Sequence, residues 1–399
     1  MKTKKLIALL LLAVVIVGAF IAVPLFLHGG EGSNEEENEI PVPDIVNLDI
    51  ACVGDIMIHS VQIPAALEAD GTYSFAENYV YVEPYIAAAD VALCNVETTF
   101  GGAPYAGYPA FSSPEVLADN LKDAGFDVAM TANNHMMDRG GKGLMRTIDI
   151  LKEAGFPVTG SVSDASLPRY AMINAKGVDI AVIAYTYQTP SPDGSVRING
   201  SVVPSESASK INSFGYENID AELQEIKGVV DQARADGAEI VVLYYHWGEE
   251  YQLSANRWQY GIAEKTVDMM DVDIIFGSHP HNLQEAVYIE DVPVFFSLGN
   301  FISNQRRETL GGEEYKYTET GAIATVSVEY DRASGEILGT SMSALPTWVD
   351  KYRDEVGQWR YTLIPLDENM DTNEVLANSG HLERAKGALN DAEGLLKLN

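Results

Sequence analysis

Five times along this chain a short apolar run of strand type breaks directly into a polar cluster of Asp, Glu, Asn or His. Residues 48–53 lead into Gly54-Asp55, residues 91–94 into Asn95-Val96-Glu97, and residues 126–130 into Asn133-Asn134-His135. Residues 240–245 lead into His246-Trp247-Gly248-Glu249, and residues 274–276 into Gly277-Ser278-His279-Pro280-His281. Helical stretches precede the last three runs. One opens at Ser113-Pro114-Glu115 with an N-cap and a proline at the first helical position. The others span residues 226–235, closing at Asp236-Gly237, and residues 257–270. Runs this short and uniformly apolar suit strands buried on both faces, and their alternation with helices predicts βαβ units and a largely parallel sheet. Ligands collect beyond the carboxyl ends of such strands. Five clusters on one edge therefore predict one site.

Other segments read as antiparallel. Residues 170–175 and 178–187 flank Lys176-Gly177, and residues 287–289 and 292–296 flank Glu290-Asp291, both hairpin signals. Residues 322–330 alternate cleanly after Gly321. These features predict a pair of mixed sheets rather than one doubly wound sheet. Residues 189–209, rich in Ser, Pro and Gly, read as a long loop near the rim of the site, and the tail offers a strand at 361–364 and a helix at 382–396.

The N-terminus reads differently. After Met-Lys-Thr-Lys-Lys, residues 6–27 carry no charge, and as a helix they would span roughly 33 Å, enough for a bilayer core. Residues 1–5 form a basic stub that would stay cytoplasmic, which places the rest of the chain outside the cell membrane on a single pass. A cleaved signal peptide at Val17-Gly18-Ala19 is the competing reading, but the apolar run continues past Ala19. Residues 28–44, dominated by Gly and Glu, read as a disordered acidic tether. The main domain is expected over 45–345, with 346–399 as a C-terminal extension packed on it.

With 26 Lys and Arg against 58 Asp and Glu, the net charge is −32. This argues against nucleic acid, whose binding rests on basic side chains neutralising phosphates. Cys52 and Cys94 each precede a polar cluster by three residues. Buried free thiols are the expected state, a disulfide is open to them outside the cell, and neither reads as a metal ligand.

The clusters gather Asp55, Glu97, Asn134, His135, His246, His279 and His281. Of seven histidines, five (His59, His135, His246, His279 and His281) sit just past an apolar run of strand type. Taken singly, Asp55 reads as a helix cap, Glu97 as half of an ion pair and Asn134 as a turn residue. Jointly, carboxylate, amide and imidazole donors without thiolate suit Mn, Fe or Zn. There are more donors than one tetrahedral ion needs, so one or two ions are expected. Two ions about 3.5–4 Å apart can activate water and stabilise both oxygens of a displacement at phosphorus. Glu249 and Glu250 could add a ligand or simply be solvated.

The ordered motifs Gly54-Asp55-Ile56-Met57, Asn95-Val96-Glu97, Ala132-Asn133-Asn134-His135 with Asp138 and Gly140, His246-Trp247-Gly248-Glu249-Glu250-Tyr251, Gly277-Ser278-His279-Pro280-His281 and Ser297-Leu298-Gly299-Asn300-Phe301 resemble the CapA family of capsule-biosynthesis proteins. That family is associated with poly-γ-glutamate capsules and related in fold to calcineurin-like metallophosphoesterases. The resemblance covers residues 48–301, with weaker support to about 366. It implies an α/β fold, a four-layer α/β/β/α sandwich of two mixed sheets. It also implies that Glu97 bridges two metals, that Asn134, His246 and His279 complete one metal site, and that Asp55 and His281 belong to the other. His135 would be the general acid or transition-state stabiliser. Asn300 is a further candidate, and Trp247 and Tyr251 are candidates for a substrate wall. In one respect the chain departs from the phosphoesterase pattern: Met57 stands where a histidine is expected. A thioether ligates hard divalent ions poorly, so His59 becomes a candidate donor and the first metal position is expected to be the weaker.

Three functions follow as expectations. The first is a membrane-anchored, outward-facing, metal-dependent hydrolase in capsule or cell-surface polymer assembly. The second is a non-catalytic subunit that tethers or exports an anionic polymer beside capsule-synthesis membrane subunits. The third is a generic secreted phosphoesterase.

Overall fold

The computed structural model describes residues 43–398. The expected stub, the anchor at 6–27 and the tether as far as residue 42 lie outside them. No helix among the described residues is long and apolar enough to cross a membrane.

The chain passes through β1 (Ile45–Ile56), β2 (Val91–Val96), β3 (Val128–Met130) and β4 (Val158–Thr159). Next come the hairpin β5 (Ala171–Ala175) and β6 (Val178–Tyr187), the small ribbon β7 (Arg197–Ile198) and β8 (Ser201–Val202), and β9 (Ser213–Phe214). Then follow β10 (Ile240–His246), β11 (Ile274–Ser278), the hairpin β12 (Ala286–Ile289) and β13 (Val292–Phe295), and β14 (Asn300–Ile302). The chain closes its sheets with β15 (Thr320–Asp331), β16 (Glu336–Arg353) and β17 (Trp359–Pro365).

Two large sheets result. The first runs β17-β16-β15-β1-β2-β3-β4 with β14 beside β1, and the second runs β12-β13-β11-β10-β6-β5 with β9 beside β6. Both are mixed. In the first, β1 to β4 are parallel while β15 to β17 run antiparallel to their neighbours. In the second, β6, β10, β11 and β13 are parallel, edged by the antiparallel β5 and β12.

Strand alternation sends successive side chains to opposite faces, and the apolar runs exploit both. Leu48, Ile50, Leu93 and Met130 of the first sheet meet Ile180, Val182, Val242 and Phe276 of the second. On the far side of the first sheet, Val53, Cys94 and Ala129 pack against Leu117 and Leu121 of the helix Val116–Asp123 and Leu151 of the helix Gly140–Glu153. On the far side of the second, Val241, Leu243 and Ile275 pack against Leu223, Ile226 and Val230 of the helix Ile219–Ala235 and Ile262 of the helix Arg257–Met269. The fold is mixed α/β, layered helix, sheet, sheet, helix.

The same alternation separates the cysteines. Cys94 pairs with Val53 rather than with Cys52, so Cys52 faces the core between the sheets and Cys94 the helix layer. Both are free and buried. At the β5–β6 turn, Lys176 and Gly177 adopt φ of 49° and 80°, the positive values that a two-residue hairpin demands.

Two expectations gain detail. Residues 189–209, expected as a long loop, are pinned where Ile198 and Val203 bury against Met136, Leu144 and Ile148, with the β7–β8 ribbon and the helical turn Ser205–Ala208. The chain does not break between 345 and 346. That point lies inside β16, whose pairing with β15 continues across it while pairing with β17 begins at Thr347, and the described residues fall in one compact unit.

Candidate metal centre

The five clusters do converge, but from both sheets. β1, β2 and β3 deliver Asp55, Glu97 and the Asn133–His135 turn, while β10 and β11 deliver His246 and the His279–His281 turn. The site therefore lies where the carboxyl edges of the two sheets meet.

Close backbone approach fixes the first sheet's contribution. Asp55 N–H donates to Gly299 O at 2.9 Å, and Met57 N–H to Ile302 O at 2.8 Å. A Cβ on Gly54 would stand 2.0 Å from Gly299 O, so this position needs glycine for space. On the second sheet, His279 and His281 are non-glycine residues at φ of 102° and 57°. Such conformations are costly and persist only where the surroundings impose them. Here they turn both rings inward, to 5.9 Å between centroids.

One potential donor atom each from Asp55, Glu97 and His246 lie within 4.8 Å of one another. His281 Nδ1 donates to Asp55 Oδ2 at 3.0 Å, and His246 Nε2 donates to Asn134 Oδ1 at 2.9 Å. The ring of His279 lies 4.9 Å from that of His246. All six expected ligands are thus neighbours, and all are buried.

Their electrostatics suit a cation. Burial would raise the Asp55 carboxyl, but the hydrogen bond and charge of His281, with His246 and Asn95, hold it well below the ordinary range. Burial and then the charge of Asp55 push Glu97 well above its ordinary value. Burial lowers His246 to about 3 and His279 well below its ordinary value, keeping both imidazoles in the neutral, ligating form. His281 goes the other way: despite burial, its hydrogen bond to Asp55 raises it.

Unsatisfied atoms test the fit directly. Neither carboxylate oxygen of Glu97 has a hydrogen-bond partner, and His279 Nδ1 has none either. A fully buried carboxylate without a partner is strongly unfavourable unless it is protonated or faces a cation. The residues present fit a divalent ion held by Asp55, Glu97, Asn134, His246, His279 and His281.

Beside this centre, reaching it through His281, opens a cavity of about 370 Å³, lined by Met57, His59, Tyr108, His135, Glu250, Tyr251, His281 and Gln305 among others. His135 Nδ1 lies 2.8 Å from Asp138 Oδ2, which also accepts Phe111 N–H at 2.7 Å. His59 is at the mouth beside Met57; its Nδ1 accepts Asn304 N–H at 3.3 Å, and burial, then the charge of His281, lower it to about 3. Tyr251 forms part of the wall, its hydroxyl accepting from Gln305 Nε2 at 3.3 Å. Asn300 pairs with Asp55 across β14 and β1, and its Oδ1 is buried without a partner.

Two candidates fall away from the cavity. Trp247 is fully buried in the helix-side core, stacked at 4.7 Å on Tyr245, with Nε1–H donating to Phe296 O at 2.9 Å. It cannot form a substrate wall, because strand alternation after His246 turns it to the opposite face. Glu249 is exposed and does not line the cavity, whereas its neighbour Glu250 does.

Other residues went unrecognised in the sequence. Asn95 Nδ2 donates to Asp55 Oδ1 at 2.8 Å and lies 3.5 Å from His246 Nδ1, while Asn133 Nδ2 holds Asn95 Oδ1 at 3.1 Å. This amide pair orients the donors from behind, as hydrogen bonds around metal ligands commonly do. A polar residue inside the apolar run of β2 was the available signal. Met57 lines the cavity without a competent donor, so elemental analysis of purified protein is expected to find one tightly held ion and a second held weakly. Two equally tight ions would show that His59 or another group makes good the thioether.

Residues 49–305 match the family described as "Bacterial capsule synthesis protein PGA_cap". The chain is 30% identical over 335 residues to the PGA biosynthesis protein CapA of Bacillus subtilis (strain 168), covering 79% of this chain and 81% of that protein. It is 30% identical over 267 residues to the capsule biosynthesis protein CapA of Bacillus anthracis, covering 65% of this chain but only 60% of that protein's length. A probable polyglutamine synthesis accessory protein of Mycobacterium tuberculosis (strain ATCC 25618 / H37Rv) is 27% identical over 277 residues, covering 67% of this chain and 68% of that protein. Among solved structures, the calcineurin-like phosphoesterase YfkN from Bacillus subtilis aligns with a TM-score of 0.45 at 12% identity, over 88% of this chain and 99% of that one.

Proposed function

Because the chain belongs to the bacterial capsule synthesis family PGA_cap, we propose that it serves assembly or export of a poly-γ-glutamate-type polymer through a metal-dependent, hydrolase-like site. In this reading residues 6–27 anchor it in the cell membrane, with the folded domain that follows outside, next to the membrane subunits that make the polymer. The observation that carries the proposal is the buried, unpartnered carboxylate of Glu97 amid five further donors from two sheets.

A bound divalent ion supplies positive charge that polarises a carbonyl or phosphoryl oxygen and lowers the pKa of a water. The rest falls to the side chains. Asp138 accepts from Nδ1 of His135 at 2.8 Å, which fixes the ring and leaves Nε2 to carry a proton at the cavity. Phe111 packs edge-on against that ring at 4.7 Å and limits its rotation. Tyr251 and Gln305 form a polar wall of the cavity that His135 also lines, suited to positioning a peptide-like or phosphoester substrate.

His135→Ala is expected to keep fold and metal content while lowering hydrolysis by about 10²–10⁴-fold, the usual contribution of a general acid or base. His279→Ala is expected to lose metal. The measurements are metal content, turnover of phosphoester and γ-glutamyl probes, and capsule output in cells. If both variants match wild type in all three, the catalytic reading fails. Met57 in the place of an expected ligand favours a second reading, a polymer-tethering subunit that uses one ion structurally; it predicts normal capsule output from His135→Ala alone.

A further inference from the structure

A basic pocket in a chain of net charge −32 needs a reason. Beside β16 and β17 a cavity of about 500 Å³ is lined by Arg306, Lys351, Arg353, Trp359, His381 and Arg384 among others. Some of these charges are already answered. Arg306 and Arg384 meet Glu319 at 3.1 Å and 2.8 Å, Arg384 also meets Glu308 at 3.0 Å, and His381 Nδ1 lies 2.7 Å from Asp350.

Lys351 and Arg353 are different. Among the described residues neither has a carboxylate within ion-pair distance; Lys351 donates to Asn304 Oδ1 at 2.9 Å and Arg353 to Gly357 O. Two residues apart on one strand, they share a face of the sheet. Both lie over the ring of Trp359 on β17, the ammonium 4.8 Å and the guanidinium 4.1 Å from its centre. Trp359 is 37% exposed, so the face is open. Burial, then the nearby charge of Arg306, already lowers the Lys351 ammonium. A sequence with more than two acids for every base could readily have paired these cations. Instead it leaves two like charges side by side on an aromatic platform, with N–H groups free for an oxyanion.

The pocket also connects to the metal centre. Asn304 N–H reaches His59 at 3.3 Å, and its Oδ1 accepts from Lys351 and, at 2.7 Å, from Tyr361. Residues 304–310 form a shared wall: Asn304, Thr309 and Leu310 face the metal cavity, Arg306 and Glu308 the basic one.

We propose that Lys351 and Arg353 form a carboxylate subsite, holding one segment of an anionic polymer while another segment occupies the metal cavity. This rests on the polymer reading given above. Glu308 in the same wall disfavours a compact dianion such as phosphate. The acidic exterior repels a polyanion elsewhere, so the pocket would set the track along which such a chain lies.

The test uses the full-length chain in detergent, loaded with metal, and fluorescein-labelled poly-γ-glutamate. Lys351→Gln combined with Arg353→Gln is expected to weaken binding by about tenfold or more and to flatten its salt dependence. Metal content and melting temperature should not change. Wild-type affinity in the double variant overturns the subsite and leaves the proposed function standing, whereas failure of the wild-type protein to bind the polymer overturns both. Displacement of the polymer by inorganic phosphate, at concentrations where monomeric glutamate has no effect, would overturn the carboxylate assignment.

Discussion

Replacing Glu97 by glutamine is expected to make the metal-free protein more stable while abolishing tight metal retention. Glu97 is fully buried, its two oxygens find no donor, and burial together with Asp55 raises its pKa well above the ordinary 4.5. The folded protein therefore holds this proton at pH values where the unfolded chain has released it. Whatever stability the group contributes is fully present below about pH 4.5 and declines as pH rises toward the folded pKa, by at most about 1.4 kcal/mol per pH unit. Glutamine has the same shape without the charge, so the slope should vanish. The chelated variant should gain about 1–3 kcal/mol at neutral pH, the usual penalty for an unsatisfied buried group.

Metal reverses the order. Saturating a site at about a thousand times its Kd adds about 4 kcal/mol to wild type, a gain the variant forgoes. Urea denaturation with and without chelator, at two pH values, measures every part of this. A chelated Glu97→Gln protein less stable than chelated wild type, with undiminished metal content, would show that Glu97 is not a carboxylate kept for a cation.

Trp247→Ala should produce the largest loss of stability, about 3–5 kcal/mol, as for other large aromatic truncations in cores. The indole fills the layer between β10 and its helices, stacks on Tyr245 and Phe296, and donates to Phe296 O. Truncation leaves both a void and an unpaired carbonyl. Trp247→Phe should lose less, keeping the stack and sacrificing chiefly the N–H donor. Because the ring faces away from the donors, metal per folded molecule should be unchanged in both. A substrate-wall role predicts the reverse: altered ligand binding with stability intact. Chemical denaturation and metal analysis on the same samples decide between them.

The convergence of Asp55, Glu97, Asn134 and the three histidines was legible because each follows an apolar run, and strand ends are where open α/β sheets expose polar groups. The β5–β6 hairpin was legible from Lys176-Gly177, and the helix Leu382–Leu396 from its periodicity. What the sequence concealed was partnership. Nothing in the string says that β1 and β10 belong to different sheets, since all five runs look alike. Asn95 reads only as the start of a polar cluster until Asp55 and His246 are seen beside it. Glu250 rather than Glu249 reaches the cavity because the turn after β10 reorients the chain, with Gly248 at φ 87° and Tyr251 at φ 66°. Strand β16 was divided at 345/346, although its pairing with β15 runs across that point.

Asp55, Glu97 and Asn134 ride on one β layer, and His246, His279 and His281 ride on the other. An ion gripped by all of them would act as a clasp across the seam, and the layers could not drift apart without tearing it open. Such a clasp can close only after both halves of the chain have folded and docked, so the cation would seal late in maturation. Its retention would then certify that the two layers had been put together correctly.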